Sequence, residues 1–169
     1  MTDRSWRLAL WRCAVGLLAA ITISQAATAQ DALMMLGKVQ GGSFVLTRED
    51  LLALPQHELT EQPQYLASLK QFRGPLLADV IEASDRHRIV RMKKGDVILT
   101  TRDGDTVTIT ADEMLEYGPI LALDMDGQTL FGHELGPYVV MWPFKERPEL
   151  DNNLFQMKAV RNVDAIEVQ

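Results

Sequence analysis

The stretch VILTTRDGDTVTITADEMLEYGPILALDMDGQTLF, residues 97–131, decides the fold class. It opens on two β-branched runs, Val97–Thr101 and Thr106–Thr110, around Arg102-Asp103-Gly104-Asp105, which carries the turn chemistry of a hairpin. Thr110 followed three residues later by Glu113 is a capping box, and it opens a short helix toward Tyr117. A second hairpin follows, Ile120–Met125 and Gln128–Phe131 around Asp126-Gly127. A short helix set between hairpins, rather than in regular alternation with strands, predicts a mixed α+β fold and not a doubly wound parallel sheet.

The flanks read the same way. Upstream, Gly37–Leu46 is extended and punctuated by Gly41-Gly42, and Thr47-Arg48-Glu49-Asp50 is a second capping box, opening a helix through Ala53 that Pro55 ends. His57–Thr60 alternates like a strand and leads into the loop Glu61–Tyr65. A helix from near Pro75 to about Ala83 offers Leu76, Leu77, Val80 and Ile81 to a core. Downstream, Tyr138–Trp142 is a strand stopped by Pro143, Lys145–Asn153 is a charged, turn-rich segment, and Ala165–Val168 is the last strand.

At the N-terminus, Arg4, Arg7 and Arg12 precede an apolar run, Cys13–Ile23, that ends in Ala27-Thr28-Ala29. This is the pattern of a cleaved export signal over residues 1–29, with residues 30–169 as one working domain. As a helix the apolar run reaches about half a bilayer, too short for an anchor. The arginines are not adjacent, so no twin-arginine signal is apparent, and the chain is expected to fold in the periplasm after export by the general pathway. The lone cysteine, Cys13, leaves with the signal. The formal charge is −6, and losing three arginines and one aspartate takes it to −8. That excludes the basic face a nucleic-acid binder needs and disfavours anionic membrane surfaces.

Spacing alone yields no catalytic set. His57, His87 and His133 lie far apart, outside any metal-ligand spacing, and neither a phosphate-binding glycine loop nor a nucleophile elbow is present.

Five segments taken in order nevertheless resemble the molybdopterin-binding domain of the sulfite-oxidase fold. They are Phe44…Leu51…Leu54-Pro55-Gln56-His57, then Phe72-Arg73-Gly74-Pro75-Leu76-Leu77, then Asp103…Ile109. Next come Ile120–Gly127 and His133-Glu134-Leu135-Gly136-Pro137-Tyr138-Val139-Val140-Met141-Trp142-Pro143. Enzymes of that fold hold molybdenum through a cysteine in the loop that here reads Glu61-Gln62-Pro63-Gln64-Tyr65, and carboxamides do not replace a soft sulfur ligand. They also place an arginine for anionic groups where this chain has Val139.

With the thiolate gone, the chain is similar to a smaller group of the same fold: exported proteins that bind free pterins as signals. The resemblance implies a ligand sensor with pterin as bound ligand, no metal and no enzymatic activity. Its partner would be the periplasmic region of an inner-membrane regulator with diguanylate cyclase and phosphodiesterase activities. A pterin needs an apolar or aromatic wall and a few fixed polar groups at its edge. Glu61 or Asp103 is the carboxylate expected at the amidine edge, and Tyr65, Tyr138, Trp142 and Phe144 are the candidates for the wall. Arg73 and Arg102 could donate to pterin oxygens, with Gln62, Gln64 and His133 as further edge groups. Tyr138 and Trp142 share one face of their strand, Val139 and Met141 the other. The alternatives are a molybdopterin-dependent oxidoreductase subunit and a ligand-free interaction module of the same fold.

Overall fold

The computed structural model describes residues 32–37, 43–85 and 95–169. The export signal, Gly41-Gly42 and His87 lie outside them.

The expected mixed α+β class is what the chain adopts. A five-stranded sheet has the order β2-β1-β11-β5-β6, where β1 is Ala32–Gly37, β2 Phe44–Thr47, β5 Val97–Thr101, β6 Thr106–Ile109 and β11 Val163–Val168. The β1–β11 pair is parallel and the others antiparallel. A four-stranded antiparallel sheet has the order β3-β4-β8-β9: β3 His57–Glu61, β4 Lys70–Gly74, β8 Asp124–Met125 and β9 Gln128–Thr129. Between them lies the pair β7 (Ile120–Ala122) and β10 (Val139–Met141).

Both capping boxes form. Thr47 and Asp50 open α1, Arg48–Leu52, and Thr110 and Glu113 open α3, Ala111–Tyr117, whose left-handed end is Gly118. The Asp126-Gly127 turn has φ of 51° and 73°, the left-handed pair that a tight hairpin needs. Helix α2 runs Leu77–Asp85.

Three expectations change. The run Ile120–Met125 is not one strand: β7 and β8 belong to different sheets. The turn-rich segment after Pro143 contains a 3₁₀ turn, Pro148–Leu150, and runs into a short helix α4, Asn153–Met157, capped by the Asn152 side chain. Strand β1 begins at Ala32, ahead of the extended segment expected from Gly37.

One core cluster joins the sheets. It includes Leu33, Phe72, Leu77, Leu99, Leu121, Val139, Trp142 and Ile166. Lys158 Nζ, 2.6 Å from Glu113 Oε1, ties the end of α4 to α3 in a partly buried ion pair. Burial pushes the Glu113 carboxyl up, but the Lys158 and Thr110 hydrogen bonds outweigh it and hold its pKa below the ordinary 4.5. A depressed carboxyl contributes stability that is present above the unfolded-state pKa and lost as pH falls through the folded one. Thermal midpoints measured from pH 6 downward should therefore show an acid-side decline below about pH 4.5 that is shallower in Glu113→Gln. An unchanged slope would remove this pair from the acid response.

Candidate functional site

A surface cleft of about 310 Å³ lies between the β3–β4 loop, the β5–β6 hairpin and the segment joining α4 to β11. Its lining includes Tyr65, Asp103, Asp105, Gln156, Arg161 and Asn162. The volume sits at the low end of the roughly 300–1,000 Å³ range of small-molecule sites.

The hairpin presents its acids on a rigid turn. Gly104, at φ 88°, donates its N–H to Thr101 O at 2.9 Å, and Asp105 donates its N–H to Thr101 Oγ1 at 3.1 Å. Arg102 N–H donates to Asn162 O at 2.8 Å, locking the hairpin to the opposite wall. Asn162 itself is left-handed at φ 55°, a conformation asparagine tolerates better than most residues. Its amide nitrogen, oriented toward its acceptors, donates to Gly136 O at 2.6 Å and Glu134 O at 2.9 Å.

The β3–β4 loop brings Tyr65. The Arg161 guanidinium carbon lies 5.8 Å from its ring centroid, within cation–π range. The Tyr65 hydroxyl is buried and has no hydrogen-bond partner among the described residues, and burial pushes its pKa above the ordinary phenol value of 10.0, with Arg161 opposing. An unpaired buried hydroxyl costs about 1–3 kcal/mol. Tyr65→Phe should therefore raise the denaturant midpoint by a comparable free energy while keeping the ring; a drop in stability would show that the hydroxyl finds a partner in solution.

Gln156 is buried with both ends of its amide hydrogen-bonded. Its Oε1 accepts from Gln64 N–H at 3.1 Å, and its Nε2 donates to Asp151 Oδ1 at 2.8 Å, so it braces the loop against α4.

Two of the residues expected at the site, Tyr65 and Asp103, line this cleft. Gln64 is outside the lining and reaches it by its backbone N–H, which donates to Gln156, and Arg102 flanks the cleft in the turn. The others require correction. Glu61 is not in the loop: it is the last residue of β3, 3% exposed, and both carboxylate oxygens accept from Lys145 N–H at 3.1 Å. Burial raises its pKa from 4.5, the Lys145 hydrogen bond opposing.

Trp142 is fully buried, its indole Nε1 donating to Lys158 O at 2.8 Å and its ring 5.0 Å from that of Phe155. Tyr138 and Phe144 are buried in the same core. Both faces of the 138–142 segment are covered, so no side of it is left to form a ligand wall. Arg73 is exposed on β4, opposite Glu58 and Asp124 in register. Gln62 and His133 are exposed and outside the cleft lining; His133 Nδ1 accepts from Leu135 N–H at 3.1 Å.

Sequence reasoning missed Asp105, Gln156, Arg161 and Asn162. Asp105 was legible as the last residue of the hairpin turn; the rest come from α4 and the entry to β11, where no local pattern marks them.

Among the described residues, no three His, Cys, Asp or Glu side chains gather where they could hold a metal ion, and no helix is long and apolar enough to cross a membrane.

No family profile matches the chain in sequence, and no curated protein does. In structure it is similar to the sulfane dehydrogenase SoxCD from Paracoccus pantotrophus, with a TM-score of 0.58 and 15% identity over 82% of this chain and 38% of that one. The chain thus spans well under half of its neighbour's length. The likeness shows the fold: the α+β architecture is of the sulfite-oxidase type, a distant molybdopterin-oxidoreductase-like fold.

Proposed function

We propose that this chain binds a free pterin in the cleft beside Tyr65 and acts as a periplasmic ligand sensor. Its output would pass to the periplasmic region of a membrane-bound regulator of cyclic di-GMP. The observation that carries the reading is the polarity of the cleft. Carboxylates of Asp103 and Asp105, which only accept, stand on the hairpin, while Arg161, which only donates, stands on the α4–β11 segment. Tyr65, Val107, Ala159 and Val160 supply apolar surface between them. The pyrimidine half of a pterin has a matching edge, with an N–H and an amine as adjacent donors and the exocyclic 4-oxo oxygen as acceptor. The position of the cleft supports the same reading, since it borders the loop that holds the metal-binding cysteine in the enzymes this chain resembles and has none here.

Two measurements test the proposal. Mass spectrometry of small molecules released from native protein should find a pterin at near one per chain. Titration with fluorescent pterin should be saturable, and Asp103→Ala should weaken it by roughly 1–3 kcal/mol. Molybdenum at near one per chain would instead favour an oxidoreductase subunit, the activity named for the structural neighbour.

A second reading has its own support. The burial of Tyr138, Trp142 and Phe144 removes most of the expected aromatic wall, as it would in an interaction module that keeps the fold without a ligand. No released pterin and no saturable binding would select that reading.

A further inference from the structure

We infer that Arg161 determines the specificity of the cleft, so that the site selects 4-oxo pteridines over 2,4-diamino pteridines; this rests on the pterin reading above. Arg48 pairs with Asp124 and Arg147 with Glu149, but Arg161 forms no ion pair or hydrogen bond among the described residues. Its five N–H donors are therefore available to a ligand, and it has no acceptor to offer.

The root of the side chain is fixed from both sides. Val160 O accepts from Val140 N–H at 2.7 Å, and Asn162 N–H donates to Leu135 O at 2.8 Å. The Tyr65 ring, 5.8 Å from the guanidinium carbon, gives the head a resting place. Asp103 and Asp105 belong to the facing hairpin and accept only.

A ligand that gives its amidine donors to these carboxylates must present an acceptor toward Arg161. The 4-oxo oxygen of a pterin does so. In a neutral 2,4-diaminopteridine the 4-amino group sets N–H against N–H⁺, a donor–donor opposition that strands the guanidinium, and N3 loses its hydrogen, so the carboxylates lose one donor as well. Sites built to hydrogen-bond one group reject an analogue lacking it by large factors when dry. Arg161 is exposed and water relieves part of the penalty, so the expected discrimination is about ten- to a hundredfold.

The test is a competition titration of the purified protein with pterin and 2,4-diaminopteridine, repeated on Arg161→Gln and Tyr65→Phe. The unaltered protein should prefer pterin by about tenfold or more. Arg161→Gln, whose amide accepts as well as donates, should narrow that preference by at least about threefold, leaving the part that the carboxylates contribute through the missing N3–H. Tyr65→Phe keeps the ring under the guanidinium and should keep the preference, whereas a general loosening of the cleft would weaken both ligands alike in either variant. Equal binding by the unaltered protein, or a preference undiminished in Arg161→Gln, overturns the inference and leaves the pterin reading standing. Binding of neither compound overturns both.

Discussion

Trp142→Ala is expected to cost about 3–5 kcal/mol of folding stability, the range for truncating a fully buried large aromatic. The side chain has no exposed surface, packs edge-to-face on Phe155 at 5.0 Å, and donates its indole N–H to Lys158 O at 2.8 Å. Phe155 in turn meets Tyr117 edge-on at 5.5 Å, so the tryptophan belongs to a three-ring cluster linking the end of β10 to α4 and α3. Removing it opens a large cavity and leaves a carbonyl without its donor. Chemical denaturation should show the loss as a lower midpoint, and any fall in pterin affinity should track unfolding. A variant of normal stability with abolished binding would put Trp142 back in the ligand wall and break the present account.

Gly74→Ala is expected to be comparably severe, at or above the ~3 kcal/mol upper end of overpacking costs. Gly74 closes β4, in register with His57, and a Cβ built there would lie 1.9 Å from Leu121 O and 2.8 Å from Ala122 Cα. Both obstacles are backbone, so no rotamer change relieves the clash. Leu121 N–H already donates to Pro75 O and Leu123 N–H to Arg73 O, each at 2.8 Å, and these bonds bring the two strands together at that point. The glycine in Phe72-Arg73-Gly74-Pro75, one of the segments that carries the resemblance, is thus required by close backbone approach. A thermal midpoint in Gly74→Ala within a few degrees of the parent would contradict this packing.

How far the fold could be read in the sequence follows from how local each signal is. The capping boxes at Thr47 and Thr110, and the turns at Gly104 and Asp126-Gly127, are satisfied within a few residues, and they form as read. Helix α4 has only five residues; it rests on Phe155 packing against Trp142 and Tyr117, contacts from far along the chain. Asn152 is a good N-cap, but Pro148 and the charges before it mask the signal.

The lining of the candidate cleft was legible where its residues sit on turns and loops, as Tyr65 and Asp103 do. The aromatic wall was misplaced because the two-residue alternation of a strand separates core from solvent only when one face is wet. The 138–142 segment is buried on both faces, between β7 on one edge and a bridge to Val163. Glu61 was misplaced by one residue of strand length: β3 runs on to residue 61, and that single step carries the carboxylate under Lys145 instead of into the cleft. Arg161 and Asn162 carry no periodic or turn signature, and only tertiary pairing of the hairpin with the β11 entry brings them opposite Asp103.

A ¹H–¹⁵N correlation spectrum of the protein titrated with pterin will show whether the ligand sits beside Tyr65. Saturable shifts are expected within the cleft, at Tyr65, at Asp103 to Val107 and at Gln156 to Asn162. Saturable shifts centred on another face of the molecule, or none at all, would contradict it.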